Sequence, residues 1–354
     1  MICHTMDVVV KAVTYLNPGQ TPVLACDQPI YAMAKKIQWN WPSTNGESSI
    51  VMMFGGLHTE LAALKALGTW IESSGWTSAL VQAGITTPGT ADSFLKEAHV
   101  SRTRHAHQIT ACALYILMDK AYKHYCNCIS EEEEPKTFME WRKQAELASL
   151  QFQYWSLTLH FELTILIFVR SLREGNFELY KESCKRLAPW FFALDRTNYA
   201  RWLPVHIRDM ESLDTKLPNL AAQFRKGHFV VKKTNRSFSA LPIDHAHEQN
   251  DKIVKGDGGA IGLTESPTQL MHWMVSGPEM SRIINEFEVS QELLKSISDD
   301  RKHRHHEETR GVQSTFQSEV QSLSNVISEM GNPFLDQSGD LLILDTRDIM
   351  DATW

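Results

Sequence analysis

Apolar and polar positions alternate over the first ninety residues in the order strand, helix, strand, helix. Thr21-Pro-Val-Leu-Ala-Cys26 is a short apolar run that ends at Asp27, and Pro29 opens a helical pattern through Ile37. Asn40 to Ser49 is rich in turn residues. Ser49 to Phe54, SIVMMF, is a second apolar run, halted by Gly55-Gly56. From His58 to Ser73 the apolar residues Leu61, Leu64, Leu67 and Ile71 recur at three- and four-residue spacing, which marks one buried helix face. Two short apolar runs, each followed by a helical pattern, predict a parallel βαβ unit. Leu80 to Ile85 is expected to add one more short strand.

From about residue 98 the periodicity turns helical and stays so. Helices are predicted over Gln108–Tyr125, Glu140–Arg173, Asn176–Ala193 and Asn198–Met210, with breaks at Glu131–Glu134, Gly175 and Pro218. A short extended pair follows, His228–Lys233 and Phe238–Ile243, and a helix resumes at about Asp244. Beyond the glycine turn Gly256-Asp-Gly-Gly259, residues 267–296 are helical in pattern. Asp299–Gly311 is a charged linker or helix surface, and Gln313–Met330 is a last amphipathic helix. The fold class is therefore α/β, mostly α by residue count. The expected layout is a first part of an α/β core at 1–97, a helical insertion at 98–226, a return to the core at 227–296, and a charged linker with a C-terminal helix and tail at 297–354. Two strands alone do not hold a sheet, which favours one interrupted core over two domains in series.

Composition narrows the class. Hydrophobic residues make up 43% of the 354 and charged residues 22%, as in globular domains, which excludes a mainly disordered chain or a disulfide scaffold. The net charge of −7 excludes a general polyanion binder, so any nucleic-acid surface must be local. One stretch answers to that. Between Arg201 and Ala240 eight Lys or Arg (Arg201, Arg208, Lys216, Arg225, Lys226, Lys232, Lys233, Arg236) face three Asp or Glu, with Phe224, Phe229 and Phe238 interleaved. That pattern suits a phosphate-contacting face and equally an ordinary solvated surface. Six sparse cysteines and the lack of an export signal point to an intracellular protein, nuclear or cytoplasmic. Leu157 to Val169, interrupted by His160 and Glu162, is too short to span a bilayer and reads as a core helix, so no membrane partner is expected.

Few residues offer chemistry. Asp27, where an apolar run meets a loop, can face a cleft or cap the next helix. His58-Thr-Glu60 has the His-x-Glu spacing of zinc deaminases, but the Pro-Cys-x-x-Cys that chemistry needs is absent and only Cys126-Asn-Cys128 is offered. His105-Ala-His107, with His99, and His245-Ala-His247 lack a second half for a metal site, and zinc is not expected. Gly256–Gly262 follows a helix and not a strand, so no nucleotide is expected either. Glu248, early in the helix after the second extended pair, could join Asp27 as a hard oxygen ligand for Mg²⁺ or act as a surface carboxylate.

Taken in order, Asp27-Gln-Pro, a strand ending in Gly-Gly-Leu-His58, a helical block and His-Glu248-Gln-Asn250 resemble the transposase cores of the Mutator-like and hAT-like kind. Further segments, Ser171-Leu-Arg-Glu-Gly-Asn-Phe, Asn198-Tyr-Ala-Arg201-Trp-Leu-Pro, Gly256-Asp-Gly-Gly-Ala-Ile-Gly-Leu and Met330-Gly-Asn-Pro-Phe, resemble uncharacterised transposon-borne animal proteins over nearly the whole chain. The resemblance implies an RNase H-like (DDE) core broken by a helical insertion, DNA as partner, and Asp27 and Glu248 as remnants of a Mg²⁺ site for phosphodiester transfer. His58 falls on the motif histidine, in a structural or supporting part, and Gly55 stands where the family has Cys or Asp. The family's first catalytic Asp has no counterpart before Asp27. The chain is thus expected to lack the opening strands of that core, to bind Mg²⁺ weakly or not at all, and to be inactive alone. A mainly helical interaction protein is the alternative.

Overall fold

The computed structural model describes residues 1–96, 98–130, 134–232, 234, 237–255, 268, 271, 300–336 and 339–350, with 252–255 and 300–310 given by their backbone alone. Among the described residues the protein is mostly helical, with two small sheets. Helix α1 (Ile2–Leu16) leads to strand β1 (Val23–Cys26), helices α2 (Gln28–Asn40) and α3 (Pro42–Asn45), strand β2 (Val51–Phe54) and helix α4 (Gly56–Ile71). Strands β1 and β2 pair in parallel from Val23↔Val51 to Cys26↔Phe54, as the two apolar runs predict. All four β2 residues are buried, so the run is continuously apolar and not alternating.

Next come α5 (Trp76–Gln82), α6 (Pro88–Phe94), α7 (Val100–Cys128), α8 (Phe138–Ala148), α9 (Leu150–Glu174), α10 (Phe177–Ala193), α11 (Thr197–Glu211), α12 (Leu213–Lys216) and α13 (Pro218–Arg225). Two expectations fail here. Leu80–Ile85 forms no strand: its first residues belong to α5. Gly75 turns the chain at φ +84, and Trp76 then buries its ring and donates Nε1–H to Thr110 Oγ1 at 2.9 Å. A short apolar run fits either state, and packing decides. Glu140–Arg173 is two helices, because Ser149 adopts extended backbone (φ −134, ψ 124) and its hydroxyl caps the next helix at Phe152 N, 3.2 Å away.

Helix α9 forms the core. By length and composition it could cross a membrane, yet it packs against α4, α7, α8 and α10 and buries Phe152, Trp155, Phe161 and Phe168. Inside this core His107 Nδ1 lies 3.0 Å from Glu162 Oε1, both side chains are buried, and the Trp76 ring stacks on His107 at 4.8 Å.

The predicted extended pair is realised as β3 (Val231–Lys232) and β4 (Ala240–Leu241), antiparallel. A helix then runs Ile243–Lys255, close to the expected start. The charged segment and the last amphipathic pattern form one helix, Asp300–Gly331. The glycine turn at 256–259 and nearly all of 267–296 lie outside the described residues. The chain divides into two compact units, Met1–Asp244 with Ser318–Trp354, and His245–Gln317. In the first, Val320, Leu323 and Ile327 are buried, and Leu344 N donates to Ser74 O at 3.0 Å.

Candidate functional site

Because β1 and β2 are parallel, their carboxyl ends emerge side by side, joined by Gly55 N donating to Cys26 O at 2.8 Å. Crevices at such strand ends are where open α/β sheets place ligands. One strand delivers Asp27 there and the other delivers Gly55 to His58. Asp27 is the N-cap of α2: its backbone is extended and its Oδ1 accepts from Ile30 N at 3.3 Å, with Pro29 in the first turn. The capping role expected of Asp27 is thus realised, a role compatible with a carboxylate that faces the strand end.

Helix α4 starts directly after β2, and Gly55 gives it no side-chain cap. The cap arrives from Asp244, nearly two hundred residues later. Asp244 Oδ1 accepts from Leu57 N and Oδ2 from His58 N, both at 3.1 Å, and His58 Nδ1 lies 3.0 Å from Oδ2. A carboxylate at a helix N-terminus also meets the positive end of the helix dipole. Burial by itself would raise the Asp244 carboxyl, but the hydrogen bonds from His58 and Leu57 hold it below the ordinary aspartate range. Tyr199 OH donates to His58 O at 3.0 Å, and its ring stacks on Phe54. Behind the turn, buried Glu60 takes a two-pronged pair from Arg104, Nε to Oε1 at 2.7 Å and Nη2 to Oε2 at 2.8 Å.

The two glycines have tertiary causes. Gly55 sits at φ −60, ψ 120, which any residue adopts, so space and not conformation demands it. A Cβ there would lie 2.4 Å from Asp244 Oδ2. A Cβ on Gly56 would come within 2.9 Å of Pro242 and 3.0 Å of Leu172. Gly55 is small because the Asp244 carboxylate already fills the space a side chain would need.

Asp244 is the residue that sequence reasoning missed. Its one local signal is an Asp at the start of a predicted helix, which suggests a cap for its own helix and not for α4. Glu248, the expected partner of Asp27, is exposed on the helix Ile243–Lys255, four residues past Asp244, and belongs to the second compact unit.

What the arrangement can do chemically follows from how its oxygens are spent. Asp27 and Asp244 are engaged by N–H donors, and among the described residues no three His, Cys, Asp or Glu are grouped to hold a metal. Burial, then the charges of Asp27 and Asp244, push the Cys26 thiol up to about 12, which disfavours the thiolate.

The histidine pairs are internally satisfied in part: His105 Nε2 lies 2.9 Å from Glu319, and His245 3.1 Å from Gln249. Of the basic stretch, Arg208 pairs with Asp209 and Glu47, Lys216 with Glu47, and Arg225 with Asp214 and Glu178. Arg201, Lys226 and Lys232 are exposed and form no ion pair among the described residues; Lys233 and Arg236 lie outside them. Glu47, which also receives Lys35 and Trp39, is held down to about 2: burial would raise it, but the hydrogen bonds from Lys35, Lys216 and Trp39 outweigh that.

A family model described as "Domain of unknown function (DUF8702)" matches residues 1–144 and 129–353. No curated protein and no solved structure matches the chain.

Proposed function

We propose that this chain, a member of the DUF8702 family, is a transposase-derived protein with an RNase H-like core interrupted by a helical block, and that it contacts nucleic acid without cutting it. One observation carries the reading. After the long helical block, the chain returns through β4 and brings Asp244 back to the strand end occupied by Asp27 and Gly55–His58. That supports an interrupted core whose acidic strand end has been kept while its oxygens have become helix caps. Arg201, Lys226 and Lys232, exposed and without an ion pair among the described residues, are the cations that would meet phosphate oxygens.

The test has two arms. A labelled duplex incubated with Mg²⁺ or Mn²⁺ should stay intact; metal-dependent nicking abolished by Asp27→Ala would overturn the non-cleaving part. Filter binding at two salt concentrations should show affinity that falls steeply with salt, because each neutralised phosphate releases counterions. A second reading, a helical interaction protein, is favoured by the pairing of Arg208, Lys216 and Arg225 within the chain. It requires no duplex binding at either salt concentration.

A further inference from the structure

Helix α7 ends in Tyr122-Lys-His124-Tyr-Cys126-Asn-Cys128. Its rotation is fixed by packing: Tyr122 OH donates to Lys136 O at 2.8 Å, and the Tyr122 ring meets Trp141 at 5.3 Å. That leaves His124 and Cys128, one helical turn apart, exposed on a common face. His124 Nε2 and Cys128 Sγ are 3.6 Å apart.

That distance has a meaning beyond a thiol–imidazole hydrogen bond. With Zn–S about 2.3 Å and Zn–N about 2.05 Å at a tetrahedral angle, the two ligand atoms of one zinc ion stand about 3.6 Å apart. The pair is therefore already at the separation that zinc would impose, with no rotamer change. The helix C-terminus supplies the negative end of the dipole, the last turn carries no basic residue, and Lys123 is drawn off to Asp119 at 2.7 Å. The productive spacing is His124-x-x-x-Cys128 and not Cys126-x-Cys128, whose side chains diverge on a helix.

We propose that His124 and Cys128 are half of a zinc site, completed as Cys₂His₂ when two copies of this chain meet on this face. No third ligand is grouped with them among the described residues, and structural zinc takes four. A two-fold pairing brings the same two ligands from each copy, the self-complementary arrangement of most homodimers. Each Cys128 thiol gives up its proton as the S–Zn bond forms, so one Zn²⁺ displaces two protons and the closed site is neutral. Binding tightens as pH rises.

The full chain, kept reduced with a phosphine, is titrated with Co²⁺ and then Zn²⁺ while absorption and mass in solution are followed. Expected are a thiolate-to-cobalt band with intense tetrahedral visible bands, their bleaching by Zn²⁺, one metal per two chains and a doubling of mass. Cys128→Ser and His124→Asn should each weaken metal binding at least tenfold and abolish the metal-dependent dimer. Cys126→Ser and Cys112→Ser should leave both unchanged. Far-UV circular dichroism checks folding, which substitutions at two exposed positions should not disturb. The proposal is overturned by absence of the cobalt bands, by their survival in Cys128→Ser, or by one metal per chain in a monomer.

Discussion

Two carboxylate–histidine pairs in this protein look alike on paper and behave in opposite ways. Asp244–His58 and Glu162–His107 both bring a ring Nδ1 to 3.0 Å from a carboxylate oxygen. At the strand end, Asp244 also receives two backbone N–H groups from the start of α4, and its carboxyl is held below the usual range although it is largely buried. In the core, burial is the one influence on Glu162, and it drives the carboxyl well above the usual range. Burial likewise lowers the His107 imidazole to about 3. Burial thus pushes both members of the core pair toward their uncharged forms, and Glu162 Oε2 and His107 Nε2 have no partner among the described residues. The lesson is that the charged state of a buried carboxylate follows from the donors that face it and not from a histidine neighbour alone.

The sharpest way to break the comparison is a double-mutant cycle on the strand end. Asp244→Ala, which strips the α4 start of its acceptor, should cost about 2–3 kcal/mol by denaturant unfolding. Gly55→Ala, which puts a Cβ into the Asp244 carboxylate, should cost about 1–3 kcal/mol. The double variant should cost clearly less than the sum, because the collision that makes Gly55 necessary is gone. Additive losses would contradict the steric account of Gly55.

Opposite pH responses should follow. Glu162 is raised in the folded state, so its favourable share is complete below the unfolded value and is lost as pH rises through the folded value. Glu162→Gln, a neutral isostere, should therefore raise the melting temperature in neutral and alkaline solution and flatten that loss. Asp244 is lowered, so its share is present above the unfolded value of about 4 and is lost as pH falls through the folded one. Asp244→Asn should accordingly remove part of the acid-side slope. Thermal melts across pH read both.

The smallest effects concern Asp27. Asp27→Ala should cost about 1 kcal/mol as a lost N-cap, and Asp27→Asn a few tenths, since Asn caps as well as Asp. A larger loss in Asp27→Asn would mean that its charge does more at the strand end than cap α2.

Legibility in the sequence tracked how local each cause is. Both parallel strands, the turn after each, and the Asp27 cap were readable, because an apolar run followed by Asp and Pro or by Gly-Gly carries its own punctuation. The break at Ser149 was locally available too, since Ser is a strong N-cap, but the apolar period runs across it and hides it. Helix α5 was not readable from its few residues, because Trp76 is fixed by Thr110 on a different helix. At the candidate site Asp27 and His58 were found and Asp244 was not, since its partners are the N–H groups of Leu57 and His58, far off in sequence.

The sequence by itself determined which segments are helix and which are short apolar strands, that the chain is mostly helical, and where the strand ends carry Asp27 and His58. Those properties rest on periodicity and turn chemistry within a few residues. Only the tertiary structure decided that Asp244 closes the start of α4, that Gly55 is small to admit it, and that burial drives the Glu162 carboxyl well above its usual range. Each of these depends on groups 55 to almost 190 residues apart in the chain, and a carboxylate's role is set by the donors that folding brings to it.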